Sequence, residues 1–218
     1  MALKKGIDQK KDQSYVLYMM NQKALSQTAF PLGKMTKKEV REFAAAKGIF
    51  NAAKEESQDI CFVDNGNYAD FIENYTGKSY PEGDITDTEG NVLGRHRGLI
   101  RYTLGQRRGT GVACNFPVYV AAKNITGNTL VVGRETSLYT ATLTARNINI
   151  IACENLFQQQ RLMVKTRYLQ KEKRATVEQT GPDTVRIDFE EPQRAITPGQ
   201  AVVFYDGDTV VGGGTITI

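Results

Sequence analysis

The sequence predicts an α+β fold that is mainly β, with an N-terminal helical segment, a central β-rich domain and a C-terminal antiparallel β-barrel. Two features predict this order. Before about residue 80, apolar side chains recur at helical spacing, whereas beyond it short alternating or β-branched runs are separated by glycine and proline. The 218 residues, 40% of them hydrophobic, are enough for one or two cores. We therefore expect the helical segment over residues 1–50, the central domain over 51–138 and the barrel over 139–218.

Two helices are expected in the first fifty residues. Residues 12–27, DQSYVLYMMNQKALSQ, carry apolar groups loosely at helical spacing, with Asp12 or Ser14 as the N-cap. In MTKKEVREFAAAKG, Thr36 followed three residues later by Glu39 is the pattern of a capping box. These signals predict one helix over residues 12–27 and a second helix that begins after Thr36.

The second helix also carries a stop signal. Gly48 follows its last apolar residues, and glycine readily adopts the left-handed conformation that ends a helix. The stretch ESQDICFV is then expected to be extended. NYADFIENY, which follows it, is expected to form a short amphipathic helix.

The residues beyond about 80 are predicted to form β-strands joined by tight turns. Turn residues recur in ITGNTL, QTGPDT and FYDGDT, so the strands should be mainly antiparallel, in sheets that close or fold over to protect their edges. A break near Glu135 to Tyr139 separates two such β units. The predicted strands lie in GDITDT, NVLGRH, PVYVAAK, NTLVVG, ATLTARNINII, RLMVKTRYL, RATVEQT, TVRIDF and AVVFYDGDTVVGGGTITI.

Basic residues are concentrated in three stretches, KKGIDQKK, GRHRGLIRYTLGQRR and KTRYLQKEKR, each with tyrosine or glutamine nearby. Guanidinium groups pair with phosphates and aromatic rings stack on unpaired bases, so this mixture suits a nucleic acid better than a membrane. The formal net charge of +4 at pH 7 permits a polyanionic partner without requiring one. The alternative for each stretch is a solvated face with no partner.

The cysteine and histidine counts argue against disulfides and transition-metal sites. Cys61, Cys114 and Cys153 are an odd number without the close pairing of a disulfide scaffold or zinc site, so we expect reduced thiols. With one histidine and no Cys-x-x-Cys, the usual ligands of a catalytic transition metal are lacking, and we expect no bound metal. The polar N-terminus has no signal-peptide pattern, which makes the cytoplasm the expected compartment.

Seven ordered segments carry a resemblance that spans essentially the whole chain: KDQSYVLY, FPLGKMTKKEVREFAAAKG, ESQDICFV, GRHRGLIRYTLGQRRGTG, VVGRE, VKTRY and ITPGQAVVFYDGDTVVGGG. Together they closely resemble the bacterial and organellar tRNA-specific 2-thiouridylase family. The resemblance implies the helical tail of a catalytic domain, a central domain and a C-terminal barrel.

The resemblance also defines what these residues lack. The family's ATP-pyrophosphatase domain carries an SGG-x-DS phosphate loop and a first catalytic cysteine, and neither occurs in this sequence. We therefore expect a longer parent protein, no cofactor bound by this chain, ATP with Mg²⁺ used by the preceding domain, and no turnover by this chain alone. The implied macromolecular partners are tRNA and an upstream persulfide sulfur-carrier protein, not DNA or a membrane.

In this family sulfur replaces O2 of a wobble uridine after ATP has activated that position, and a cysteine persulfide delivers the sulfur. The resemblance assigns this catalytic role to Cys61. On the residues alone, a free cysteine at the edge of an apolar run is more often a buried structural residue, and that alternative stays open. Cys114 and Cys153 match no catalytic segment and are expected to be structural.

The resemblance further assigns contacts with tRNA to the KDQ segment, to the RY pair of the barrel and to TPGQ: Lys11, Asp12, Gln13, Arg167, Tyr168 and Gln200. The residues alone leave simpler alternatives. The first segment could be a helix N-cap with solvated neighbours. In a barrel strand, Tyr168 could serve packing and Arg167 could serve solubility.

His96 stands between two arginines, without an acidic or cysteine neighbour, and is expected on a surface loop rather than as a catalytic base. A further set is expected to shape either the RNA-facing surface of the central domain or the mouth of the sulfur site: Arg101, Tyr102, Gln106, Arg107 and Arg108.

Three hypotheses for function follow. The first is the central and C-terminal part of a tRNA 2-thiouridylase. The second is a non-catalytic RNA-binding module, with a barrel resembling those of translation factors and with Cys61 as a packing residue. The third is a protein–protein adaptor, whose binding would be insensitive to salt.

Overall fold

Residues 1–52 and 68–217 are described by the computed structural model, in which the chain divides into two units. The first, here called the barrel unit, comprises Met1–Lys54, Ala141–Pro192 and Thr197–Ile218. The second, the mixed-sheet unit, comprises Glu55–Thr140 and Gln193–Ile196. The predicted extended stretch ESQDICFV, with its Cys61, lies outside the described residues.

Three helices lie at the start of the barrel unit: α1 (Ser14–Leu17), α2 (Gln22–Ser26) and α3 (Lys37–Ala46). The prediction of one helix over residues 12–27 is wrong, because the chain leaves the helix at Tyr18 and restarts after the N-cap Asn21. The Asn149 side-chain amide donates to the carbonyls of Tyr18 (2.6 Å) and Met20 (3.0 Å). A barrel side chain thus satisfies the backbone groups that the break exposes.

The predicted cap of the first helix is also wrong. Gln13 occupies the N-cap position of α1, and no side chain caps that helix. Asp12 and Ser14, the two predicted caps, instead bind each other, with the Ser14 hydroxyl donating to Asp12 Oδ2 over 2.6 Å.

The second predicted helix is confirmed with both of its end signals. Thr36 Oγ1 accepts from the Glu39 N–H (3.3 Å) while Glu39 Oε2 accepts from the Thr36 N–H (2.7 Å), which completes the capping box of α3. Gly48, with φ +66°, follows the helix end. No residue of α3 is buried, so its local stability depends on these caps rather than on core packing.

The mixed-sheet unit begins, in its described part, with the predicted amphipathic helix and continues with four strands: α4 (Tyr68–Thr76), β1 (Gly83–Thr86), β2 (Val92–His96), β3 (Tyr119–Asn124) and β4 (Thr129–Gly133). The strand order is β2-β1-β4-β3, with β1 parallel to β4 and the other pairs antiparallel. Its core consists of Ile85, Tyr102, Val118, Val120, Leu130 and Val132.

Six strands form the closed antiparallel barrel: β5 (Tyr139–Ile150), β6 (Gln160–Lys165), β7 (Lys173–Gly181), β8 (Thr184–Arg194), β9 (Ala201–Asp206) and β10 (Thr209–Ile216). Their order around the barrel is β10-β5-β8-β7-β6-β9. Alternate residues of β7 are buried, as the period-2 pattern of its sequence predicts. The predicted fold class, mainly β with an N-terminal helical segment and a terminal antiparallel barrel, is confirmed.

The N-terminal helices pack on the barrel through a glycine-rich strand. At Gly213 of β10, a Cβ atom would lie 2.5 Å from Tyr18 Cδ2 and 2.6 Å from the Val202 carbonyl oxygen. Glycine is required here because the tyrosine ring rests directly on the strand backbone. This contact fixes the N-terminal segment against the barrel.

The described residues contain no helix that is both long and apolar enough to cross a membrane. Over the same residues, no group of three or more histidine, cysteine, aspartate or glutamate side chains is arranged to hold a metal ion.

Candidate nucleic-acid interface

A hydrogen bond joins two of the segments to which tRNA contacts were assigned. Gln13 Nε2 donates to the Tyr168 hydroxyl over 2.7 Å, although the two residues are 155 positions apart. Gln13 precedes α1 and Tyr168 lies in the connection between β6 and β7. Closure of the barrel therefore brings the KDQ segment and the RY pair to one surface.

The third segment reaches the same surface through Arg167. Its Nη2 donates to Thr197 Oγ1 over 3.2 Å, and Thr197 opens the turn that ends at Gln200. The Gln200 N–H donates to the Thr197 carbonyl (3.3 Å), and Gly199 between them has φ +83°, as a type II turn with Pro198 in second position requires. The exposed Gln200 side chain is thus presented from a rigid turn.

The buried Tyr15 contacts both the RY pair and the residue that follows the turn at Gln200. Its ring lies 6.1 Å from that of Tyr168, centroid to centroid, and its hydroxyl donates to the Ala201 carbonyl over 2.7 Å. Burial raises the pKa of Tyr15 to about 12, and the nearby Arg167 cation partly offsets that shift. We call the surface formed by Lys11, Gln13, Arg167, Tyr168 and Gln200 the Gln13–Tyr168 surface.

Asp12 differs from its neighbours because its carboxylate is buried. Its Oδ1 accepts from the N–H groups of Gly6 (3.0 Å) and Ser14 (3.1 Å), and its Oδ2 accepts from the Ser14 hydroxyl. Lys11 and Gln13 on either side are exposed. The buried carboxylate therefore fixes the turn from which its two neighbours project.

Sequence reasoning missed Tyr15 and Thr197 as residues that support the Gln13–Tyr168 surface. Tyr15 was assigned only to the apolar face of a helix, and Thr197 carried no functional signal. One clue was available for Tyr15: a buried tyrosine hydroxyl needs a hydrogen-bond partner, which here is the Ala201 carbonyl.

Of the three cysteines, Cys61 lies outside the described residues, whereas Cys114 and Cys153 are exposed. The expectation that the latter two are structural packing residues is wrong. The Cys153 thiol donates to the Asn155 carbonyl over 3.3 Å, and partial burial raises its pKa. A raised thiol pKa lowers the thiolate fraction and hence the reactivity.

The expectation that His96 is a surface-loop residue is also wrong. Its side chain is fully buried at the end of β2, with Nδ1 accepting from the Gly98 N–H (3.1 Å) and Nε2 lying 3.0 Å from the Asn128 carbonyl oxygen. These contacts define a neutral ring with the proton on Nε2. His96 is a structural residue of the mixed-sheet unit.

The remaining candidates have distinct environments in the mixed-sheet unit. Arg101 binds Asp70 and Glu73 of α4, both at 3.0 Å, and Tyr102 is a core residue. Gln106 is hydrogen-bonded within its own loop, whereas Arg107 and Arg108 are exposed. The set assigned together from sequence therefore separates into structural and surface residues.

Three family models match consecutive parts of this chain. They are a tRNA methyl transferase HUP domain over residues 1–65, a tRNA methyl transferase PRC-barrel domain over 69–134 and an aminomethyltransferase β-barrel domain over 140–216. A tRNA-specific 2-thiouridylase MnmA of Lachnoclostridium phytofermentans is 46% identical over 215 residues, which cover 99% of this chain and 60% of that protein. The chain belongs to the tRNA-specific 2-thiouridylase family.

Other 2-thiouridylases show similar agreement. The MnmA protein of Acetivibrio thermocellus is 46% identical over 214 residues, and that of Clostridioides difficile is 44% identical over 214 residues. Each alignment covers 98% of this chain, and 60% and 59% of the respective relative. This chain therefore spans about 60% of the length of these 2-thiouridylases.

Proposed function

We propose that this chain supplies the tRNA-binding surface and the sulfur-carrying cysteine of a tRNA 2-thiouridylase. The observation that supports the first part is the 2.7 Å hydrogen bond between Gln13 and Tyr168. The family resemblance assigned tRNA contacts to the KDQ segment and to the RY pair, which are two separate segments of the sequence. Their meeting on one surface is what a shared ligand would require.

The chemistry of the Gln13–Tyr168 surface suits RNA. The Lys11 and Arg167 cations would pair with phosphates, and the amides of Gln13 and Gln200 would hydrogen-bond to base edges or ribose hydroxyls. The partly exposed ring of Tyr168 offers a stacking face. Asp12 would position Lys11 and Gln13 rather than contact RNA, because its carboxylate oxygens accept hydrogen bonds from Gly6 and Ser14.

Binding of tRNA by charge variants tests this surface. Lys11→Ala/Arg167→Ala should weaken tRNA binding about tenfold or more and reduce the slope of log K against log salt by about 2. The matched control is Lys38→Ala/Arg186→Ala, which removes two exposed cations of the same unit, each next to a carboxylate. If the two double variants bind tRNA equally, the proposed surface is wrong.

The second part of the proposal concerns Cys61, which lies in the matched stretch ESQDICFV. The Cys61 thiolate would attack the persulfide of a carrier protein and take its terminal sulfur, so that Cys61 becomes a persulfide and the carrier thiolate is released. The terminal sulfur would attack C2 of the uridine activated by ATP, forming the C–S bond as AMP leaves. A second cysteine thiolate would then attack the Cys61 sulfur, form a disulfide with it and release 2-thiouridine.

In this proposal two parts of the protein would carry out different steps of the reaction, with sulfur delivery assigned to the present chain. Activation of uridine with ATP would belong to an ATP-pyrophosphatase domain, which also supplies the second cysteine. We expect no ATP-dependent thiolation by the 218 residues alone, measured as 2-thiouridine in digested tRNA. Thiolation by these residues without another domain would contradict the division.

A further inference from the structure

Charge is distributed very unevenly along the chain. Residues 91–134, all within the mixed-sheet unit, contain seven lysines and arginines and no aspartate or glutamate. Because the whole chain has a formal net charge of +4, the remaining residues are net −3. The basic residues of the mixed-sheet unit are thus concentrated in one stretch of its sequence, which contains no acidic residue and none of the residues of the Gln13–Tyr168 surface.

Two of these arginines are paired with carboxylates from outside the stretch. Arg95 lies 3.4 Å from Asp84, and Arg101 lies 3.0 Å from both Asp70 and Glu73. Arg107 and Arg108 are different: both are exposed, and among the described residues no carboxylate lies within ion-pair distance of either guanidinium group. Adjacent unneutralised arginines on a loop attract an anionic partner.

The loop that carries them is held in place from both sides. The Gly105 N–H donates to the Val120 carbonyl (2.8 Å), and the Val120 N–H donates to the Gln106 carbonyl (2.9 Å), which ties the loop to β3. The Gln106 side chain accepts from the Thr103 N–H (2.9 Å) and donates to the Arg108 carbonyl (2.7 Å). A backbone held this way reduces the entropy lost when its arginines bind a ligand.

A stacking face lies in the same unit. The Arg134 guanidinium carbon is 3.7 Å from the centroid of the Phe116 ring, and both side chains are exposed. A guanidinium stacked on an aromatic ring presents a flat cationic surface, which suits an unpaired base better than an acidic protein.

We propose that Arg107 and Arg108 form a second tRNA contact, in which the two guanidinium groups bind phosphates of the RNA backbone. This inference rests on the proposed tRNA-binding function and adds a site on the mixed-sheet unit to the Gln13–Tyr168 surface. The Gln106 side chain is the positioning residue, because it connects the backbone before Arg107 to the carbonyl of Arg108.

Binding of unmodified tRNA to the full chain, measured across a salt series, tests the contact. Arg107→Ala/Arg108→Ala should weaken binding about tenfold and reduce the slope of log K against log salt by about 2. Arg107→Lys/Arg108→Lys retains both charges and should recover most of the affinity. Arg95→Ala/Arg186→Ala removes two exposed, carboxylate-paired arginines and should bind as the unaltered chain does.

The outcomes separate this inference from the proposed function. If Lys11→Ala/Arg167→Ala weakens binding and Arg107→Ala/Arg108→Ala equals its control, the second contact is wrong and the first surface stands. If the alanine and lysine variants at 107 and 108 lose affinity equally, charge is not the cause and the phosphate contact is wrong. If the unaltered chain does not bind tRNA, both proposals fail.

Discussion

The Gln13 side-chain amide and the Tyr168 hydroxyl form a 2.7 Å hydrogen bond across 155 residues of sequence. Gln13 is exposed and Tyr168 is partly buried against the packed N-terminal residues of the barrel unit. The bond therefore lies at the border between the packed interior and the surface. Each side chain holds the other in the orientation it would present to RNA.

A double-mutant cycle on this pair should show coupling in tRNA binding. Gln13→Ala and Tyr168→Phe each remove one partner, and we expect an interaction energy of about 0.5–1.5 kcal/mol from the four dissociation constants. Tyr75→Phe is the control, because Tyr75 is a highly exposed tyrosine of the other unit. Strictly additive losses in affinity would show that the bond does not shape the binding surface.

The close contact of Tyr18 with β10 predicts that Gly213→Ala is destabilising. The new methyl group would meet the ring and a strand carbonyl at 2.5 and 2.6 Å, so the free energy of unfolding should fall by about 2 kcal/mol or more. Urea unfolding measures the change.

Gly181→Ala provides the matched control in the same barrel. Its new Cβ would lie 3.8 Å from Thr184 Cβ, an ordinary van der Waals distance. We expect a change under about 1 kcal/mol. Equal stability of the two variants would mean that the N-terminal helices do not pack on the barrel through this glycine.

The buried Tyr15 hydroxyl predicts a stability loss at alkaline pH. Its pKa of about 12 exceeds the ordinary value of 10.0, so the folded state binds this proton more tightly than the unfolded state. The resulting stabilisation is complete below pH 10 and is lost as pH rises through 10 to 12, by about 1.4 kcal/mol for each unit of pKa difference.

Comparison of the unaltered chain with Tyr15→Phe isolates this titration from that of other tyrosines. The variant should be about 1 kcal/mol less stable near neutral pH, because the bond to Ala201 is lost. Its free energy of unfolding should fall less steeply between pH 10 and 12. Parallel curves over that interval would contradict the raised pKa.

The strands could be predicted from sequence because alternation of polar and apolar residues is a local property. The same alternation could have located His96: it lies between the exposed Arg95 and Arg97, so in a strand its side chain must point inward. The prediction of a surface loop considered only the two arginines next to His96 and did not use this alternation. The capping box of α3 was equally predictable, since all its partners lie within four residues.

Tertiary contacts explain what sequence reasoning could not reach. The break between α1 and α2 depends on Asn149, a barrel residue more than 120 positions away that binds the freed carbonyls. The contact of Gln13 with Tyr168 likewise joins residues 155 positions apart and depends on the packing of the N-terminal segment against the barrel. The family resemblance assigned both residues to tRNA binding, but it did not predict that their side chains contact each other.

The most direct test of the account replaces Cys61 by serine in a fusion that joins this chain to the ATP-pyrophosphatase domain of a matched 2-thiouridylase. Formation of 2-thiouridine and affinity for tRNA are then measured separately. We predict that thiolation is lost while tRNA affinity stays within about twofold of the unaltered fusion, because a thiol-to-hydroxyl change removes the sulfur carrier and no phosphate contact. Retained thiolation would contradict the assignment of Cys61 and favour a non-catalytic RNA-binding module.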